Sequence, residues 1–383
     1  MLISVKSVHN SLFLTPYSAR FWVSFALAAT SIGTFSLSKA QALNFKFNAA
    51  PDIDPIALAG FEAAGNLWSS VLKDNVTVNI NVGFQPLEEG VLGQTQSQTV
   101  DIAYSRVKAA LSNDRTSQSD FTAVSNLPQD NYLTFIGTEE DGFLELDPDD
   151  PGRISRDNTT LSVNTANAKA LGLITNQNGL DGEITFNSTF DFDFDRADGI
   201  NSGKFDFIGI AAHEIGHALG FVSGVDLVDI ASFPNGPFAP FDLDNLATFS
   251  PLDLYRYSED SVATADTLGK PVLDLTADPA DQYFSIDGGR TNLALLSTGF
   301  FNGDGYQASH WKDNSLLGTL ASIGLMDPAG APGERLQLTE LDLQAFDAIG
   351  WDRVPETVPE PSTIAGSLCA GLVIARFLKR RRG

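Results

Sequence analysis

The stretch that most constrains this 383-residue chain is 205–221, Phe-Asp-Phe-Ile-Gly-Ile-Ala-Ala-His-Glu-Ile-Gly-His-Ala-Leu-Gly-Phe. Ile208, Ala212, Ile215 and Leu219 recur at helical spacing, so the segment can bury one stripe. Asp206 is placed to cap the helix at its start. Gly220 is placed to end it, because glycine takes a left-handed backbone without steric cost. On such a helix His213 and His217 stand one turn apart, offset by about 40° and ~6 Å along the axis. Two imidazole nitrogens can then converge on one ion. Glu214 follows the first of them and can face the ion's open position, where a water would lie.

His-Glu-x-x-His on a helix is the pattern of zinc hydrolases that cut peptide bonds, with the Glu as general base. A catalytic zinc needs a third protein ligand and one open position. The chain has four His and one Cys, so a zinc site of several thiolates is excluded and few imidazoles remain. His9 lies near the start, outside the body of the chain. Two candidates stand for the third ligand. Asp226 is near in sequence and reaches the metal if the chain turns back. His310 is far, in Ala308-Ser309-His310-Trp311. Downstream come Gly324-Leu325-Met326-Asp327-Pro328 and the helical pattern 341–351, ending Ala348-Ile349-Gly350-Trp351.

His-Glu-x-x-His-x-x-Gly-Phe, a long insertion, Ser-His-Trp and then Leu-Met-x-Pro together resemble the leishmanolysin-like metzincins. The shorter metzincin motif places its third His three residues after the Gly, where this chain has Ser223. The resemblance implies zinc held by His213, His217 and His310, with Glu214 as catalytic base. It implies Gly220 at the turn and Met326 in a Met-turn beneath the metal. It also implies a metzincin or zincin-like fold: a mixed twisted sheet, a long active-site helix, and two lobes flanking a zinc cleft. By analogy, Gly182–Asn187 is the edge strand on which substrate pairs. The motifs cover roughly residues 180–225 and 305–351. Leishmanolysin relatives are rich in disulfides and use a cysteine for latency, whereas the body of this chain has no Cys.

Both ends read as addresses. Residues 1–42 carry Lys6, Arg20 and Lys39 and no acid, with an apolar run from Phe21 to Ile32 and then Ala40-Gln41-Ala42. That is the form of a secretory signal peptide. An uncleaved N-terminal anchor is the alternative, though the run is short for a span of about 20 residues. At the other end, Pro359-Glu360-Pro361, an apolar run from Ile364 to Ala375 and Arg376 with Lys379–Arg382 resemble the PEP-CTERM sorting signal of exported bacterial proteins. The resemblance implies processing by exosortase-type machinery, transient membrane contact through the tail, and delivery to the cell surface, outer envelope or extracellular matrix. A plain C-terminal membrane anchor is the alternative. The only Cys, Cys369, lies in this tail.

The domain division expected is a signal peptide over 1–42, a catalytic domain over 43–353 and a sorting tail over 354–383. The domain divides into an N-lobe of about 43–221 and a C-lobe of about 222–353. Within it, 54–72 and 99–111 have helical spacing, and Val76–Val82 and Gly182–Asn187 read as strands. This order is α+β rather than a repeated βαβ. In Phe190-Asp-Phe-Asp-Phe-Asp195 an extended backbone puts rings on one face and carboxylates on the other. That allows a calcium site, or simply a solvated face. The formal net charge is −24, and both ends are basic, so the body is more acidic still. Such a surface excludes a nucleic-acid partner, because phosphates are held by basic patches. The leading expectation is a secreted or surface-sorted zinc endopeptidase acting on a protein or peptide substrate. The alternatives are a surface or matrix binding protein on a protease-like scaffold, and a zinc hydrolase of a non-peptide bond.

Overall fold

The computed structural model describes residues 8–9, 43–137, 156–233, 243 and 246–355. The chain divides into two compact units, Met1–Arg353 and Val354–Gly383. Only Val354 and Pro355 of the second are described, so the tail expected to be a sorting signal lies almost wholly outside the described residues, as does nearly all of the segment expected to be a signal peptide.

The first helix, Pro55–Val71, starts where the Asp54 side chain accepts the Ile56 N–H and Pro55 takes the first turn. Ala57, Phe61, Ala64 and Trp68 recur on one face, and all are buried. That face lies against the helix Phe207–Leu219, which also packs on the strand Gly93–Ala103. The main sheet is mixed. Asn44–Ala49 runs parallel to Thr77–Gln85, which runs parallel to Gly182–Asn187. Gly182–Asn187 is antiparallel to the first half of Gly93–Ala103, whose second half pairs with Thr160–Asn164. The two-residue strand Val8–His9 adds in parallel at Gln98–Thr99.

Between the two helices and the sheet sits an aromatic core. The ring of Phe207 meets those of Phe61, Phe84, Phe186, Phe192 and Phe194 at centroid distances of 4.5 to 5.9 Å. The later part of the unit is built around short antiparallel strands, Arg256–Tyr257, Gln282–Phe284 and Ala294–Leu296. A final helix, Glu340–Ala348, opens with a capping box made by Thr339 and Asp342. Just beyond it, the Trp351 indole N–H donates to the Leu219 carbonyl at 2.9 Å, tying the chain's return to the end of the His helix. The whole is α+β around a mixed sheet. Among the described residues, no helix is long and apolar enough to cross a membrane.

Three expectations need correction or refinement. Residues 99–103 are strand, not helix; the helix begins at Tyr104 and buries Tyr104, Val107 and Leu111. Cross-strand pairing with Thr160–Asn164 holds the earlier segment extended. Gly182–Asn187 is not an edge strand, because it is paired on both sides, and five of its six residues are buried accordingly. On one side its neighbour is Gly93–Ala103, whose second half pairs further with Thr160–Asn164 and Val8–His9. In the Phe190–Asp195 run the three rings do face the core, but only Phe192–Asp193 is strand, paired with Phe205–Asp206.

Candidate metal centre

The His helix spans Phe207–Leu219 and is bounded as its sequence dictates. The Asp206 side chain accepts the Gly209 N–H at its start. Gly220, at φ 121°, closes it with its N–H on the Gly216 and His217 carbonyls. Asp206 also pairs with the Arg196 guanidinium and accepts the Leu336 N–H, so the helix start is fixed to two loops.

His213, His217 and His310 are buried, and their ligand atoms all lie within 4.8 Å of one another. Nε2 of His217 is 3.0 Å from Nε2 of His213 and 3.2 Å from Nε2 of His310. Each ring's other nitrogen faces a carbonyl: His213 Nδ1 is 2.7 Å from Leu325 O, His217 Nδ1 2.7 Å from Phe221 O, and His310 Nδ1 3.1 Å from Gln307 O. A carbonyl can only accept, so each Nδ1 carries the proton and each Nε2 presents a lone pair. Three lone pairs at such distances repel unless they share a cation. The donor set therefore fits a metal ion, and the carbonyl partners orient the ligands as outer-shell groups do at zinc sites.

Burial keeps the three rings neutral. It lowers the His213 and His310 pKa values well below the ordinary histidine value, helped by His217 at the first and by His217 and His213 at the second. Burial brings His217 down to about 4 against the opposing hydrogen bond to the Phe221 carbonyl. Neutral imidazole is the form that binds metal. Glu214 sits beside this cluster and is fully buried. Burial pushes its carboxyl up to about 8, opposed by the Thr95 hydroxyl, which donates to Oε2 at 2.6 Å. Its Oε1 is buried with no hydrogen-bond partner. Gly93 lies against that oxygen: a Cβ there would stand 2.6 Å from Oε1, so a larger residue would push the carboxylate out of this position.

Met326 lies under the His helix, where a Cβ on Gly216 would come within 2.5 Å of its sulfur. The turn that carries Met326 is held by Asp342, whose carboxylate accepts the Leu325 and Met326 N–H groups and the Trp311 indole N–H. Asp226 is not in the cluster. Its carboxylate accepts the Ala308 N–H at 2.6 Å, the Ser309 N–H at 3.2 Å and the Ser309 hydroxyl. Among the described residues, the three His form the one group of three or more His, Cys, Asp or Glu close enough to hold a metal. In the 191–195 run, Asp193 and Asp195 accept N–H groups of their own loop.

Sequence reasoning did not find Thr95, Asp342 or the three carbonyls that fix the imidazoles. It also missed Ser97 and Asn164, which both donate to the His217 carbonyl. Thr95 and Ser97 had a signal: Gln alternates with small hydroxyl residues in 94–99, the period of a strand with one compact polar face. The carbonyls had none, since any residue supplies one. Comparison with protein families, with curated proteins and with solved structures finds no match to this chain.

Proposed function

We propose that this chain is a zinc-dependent endopeptidase of the metzincin kind, exported and sorted to the cell surface by its terminal signals. The observation that carries the reading is the convergence of three Nε2 lone pairs beside a buried carboxylate with one oxygen free. His213, His217 and His310 would hold the zinc. Bound there, zinc would supply Lewis acidity, bringing the pKa of a water toward about 7 and polarising a carbonyl. Glu214 is the proton carrier. Its Oε1 takes a proton from the attacking water and returns it to the leaving amine nitrogen. Thr95 keeps Oε2 occupied, so that Oε1 is the working atom.

A peptide substrate suits the site because the half-strand next to Glu214, Gly93–Ser97, pairs on one side only, with Gly182–Asn187. Among the described residues, no strand pairs with the outer side of Gly93–Ser97. An extended peptide can add to a strand edge through main-chain hydrogen bonds. The test combines zinc analysis with chelator-sensitive cleavage of casein on wild type and Glu214→Gln. The variant should keep about one zinc and lose 10²-fold or more in kcat. A fully active variant would overturn the mechanism, and a zinc-loaded wild type without proteolysis would favour the binding-protein or non-peptide alternatives.

A further inference from the structure

The three ligands do not reach the metal position by equal means. His213 and His217 share one helix, so the backbone sets their spacing. His310 arrives 93 residues after His217, from outside any helix or strand. Its Nδ1 contact, 3.1 Å to Gln307 O, is also the longest of the three and lies within its own turn. A loop ligand held only by itself would spend free energy on ordering each time it bound.

What orders the loop comes from the helix Val225–Ser232. Asp226 and Asp229, three residues apart, face the same loop. Asp229 accepts the Phe301 N–H at 2.8 Å and the Asn302 N–H at 2.7 Å. Asp226 takes the two N–H groups just before His310, those of Ala308 and Ser309, and also the Ser309 hydroxyl. The Ser309 oxygen in turn accepts the Ser223 N–H at 2.8 Å. Ser223 therefore stands where the shorter motif has its third His, and its backbone is bonded to the residue next to His310. From the other side, the Arg256 guanidinium donates to Ala308 O at 2.6 Å. The Ala308–Ser309 backbone is thus clamped at both its donors and an acceptor.

We propose that Asp226 is a positioning residue for the third ligand. It does not touch the metal. It fixes Ala308–Ser309 so that the His310 Nε2 is held against the two helix imidazoles, and it thereby sets how tightly the site keeps its ion. This rests on the zinc reading above. Removing an outer-shell partner of a metal ligand weakens affinity by about 10- to 100-fold. A carboxylate that merely stabilised the fold would lower stability without acting through His310.

The experiment measures zinc affinity by chelator competition on the full chain, together with the urea midpoint of the metal-free protein. Its variants are Asp226→Asn, Ser309→Ala, His310→Ala and the double variant Asp226→Asn/His310→Ala. Asp226→Asn should weaken zinc binding by about 10- to 100-fold, and the visible bands of the cobalt-substituted protein should change with the lost ligand geometry. Ser309→Ala should move affinity in the same direction by less. With His310 already removed, Asp226→Asn should cost no further affinity, because the residue acts through His310. Wild-type affinity in Asp226→Asn, or an equal loss with and without His310, overturns the inference and leaves the zinc reading standing. A wild type that binds no zinc overturns both. If Asp226→Asn does not fold, Ser309→Ala alone and with His310→Ala decides the matter by the same comparison.

Discussion

Glu214 shows how much one side chain depends on residues that carry no chemistry of their own. It is buried with one oxygen bonded to Thr95 and the other free, and Gly93 leaves it the room. Burial raises its pKa and the Thr95 hydrogen bond lowers it. Replacing Thr95 with Val removes the lowering contribution while keeping the shape. Glu214 must be ionised to accept a proton, so the acid limb of kcat/KM should move to higher pH in Thr95→Val. A limb that stays in place would show that Thr95 does not tune the base. Gly216→Ala is the second residue-scale case. The added methyl meets the Met326 sulfur at 2.5 Å in a fully buried site, and overpacking of this kind costs about 1–3 kcal/mol. Thermal unfolding should show that loss.

The helix Phe207–Leu219 was legible because its local signals agree: Asp206 at the cap, apolar residues at helical spacing, Gly220 at the end; its burial was not, since every residue but Ile208 is buried rather than one stripe. His213, Glu214 and His217 follow from it directly. The first helix was legible for the same reason, through Asp54-Pro55 and its apolar spacing. Residues 99–103 were not. Their spacing continues smoothly into the helix at Tyr104, and only pairing with Thr160–Asn164, some sixty residues away, holds them extended. The interior place of Gly182–Asn187 was hidden likewise, since both its neighbours are set by tertiary pairing. His310 was visible as a spare imidazole, whereas the clamp that holds it joins 223–226, 256 and 308–309. No window of sequence contains that set. A test at this scale is Asp206→Ala. It removes the cap, costing about 1 kcal/mol, and takes the carboxylate from the largely buried Arg196, which keeps the Leu336 carbonyl; breaking a buried pair costs about 3–5 kcal/mol. Urea unfolding should show a loss above about 3 kcal/mol, discounted somewhat for the exposure Arg196 retains. A loss under 1 kcal/mol would mean the cap and pair are dispensable.

Across the whole molecule, the acidic composition reappears as carboxyls buried where the chain closes on itself. The segment after the last helix returns to the first: Lys73 N–H donates to Asp352 O, and Asp352 N–H to the Asp74 carboxylate. Asp347, beside it, accepts the Ser117 hydroxyl. Burial, with repulsion from Asp352 and Asp114, pushes Asp74 up to about 7. Burial and the charges of Asp352 and Asp120 do the same to Asp114, partly relieved by Lys73. Asp347 is raised to about 7 mainly by burial, with Arg353 opposing, and Asp327 also reaches about 7 through burial. In the unfolded chain these groups titrate near 3.8. A raised folded pKa means the folded state holds the proton longer. The stability it contributes is complete below the unfolded pKa and is lost as pH rises through the folded one. The three imidazoles act oppositely: depressed in the folded state, they favour folding above about 6.5 and oppose it as pH falls. Between pH 4 and 6.5 the two sets offset each other. Above 6.5 the imidazoles are neutral in both states, and only the carboxyls, with Glu214 joining them, still change. The metal-free protein should therefore unfold at a lower urea concentration at pH 8 than at pH 6.5, at constant ionic strength. Asp347→Asn, which fixes one site as neutral, should make that midpoint less sensitive to pH. A midpoint that rises toward pH 8 would mean these carboxyls are already ionised in the folded protein, stabilised by groups other than the ones named.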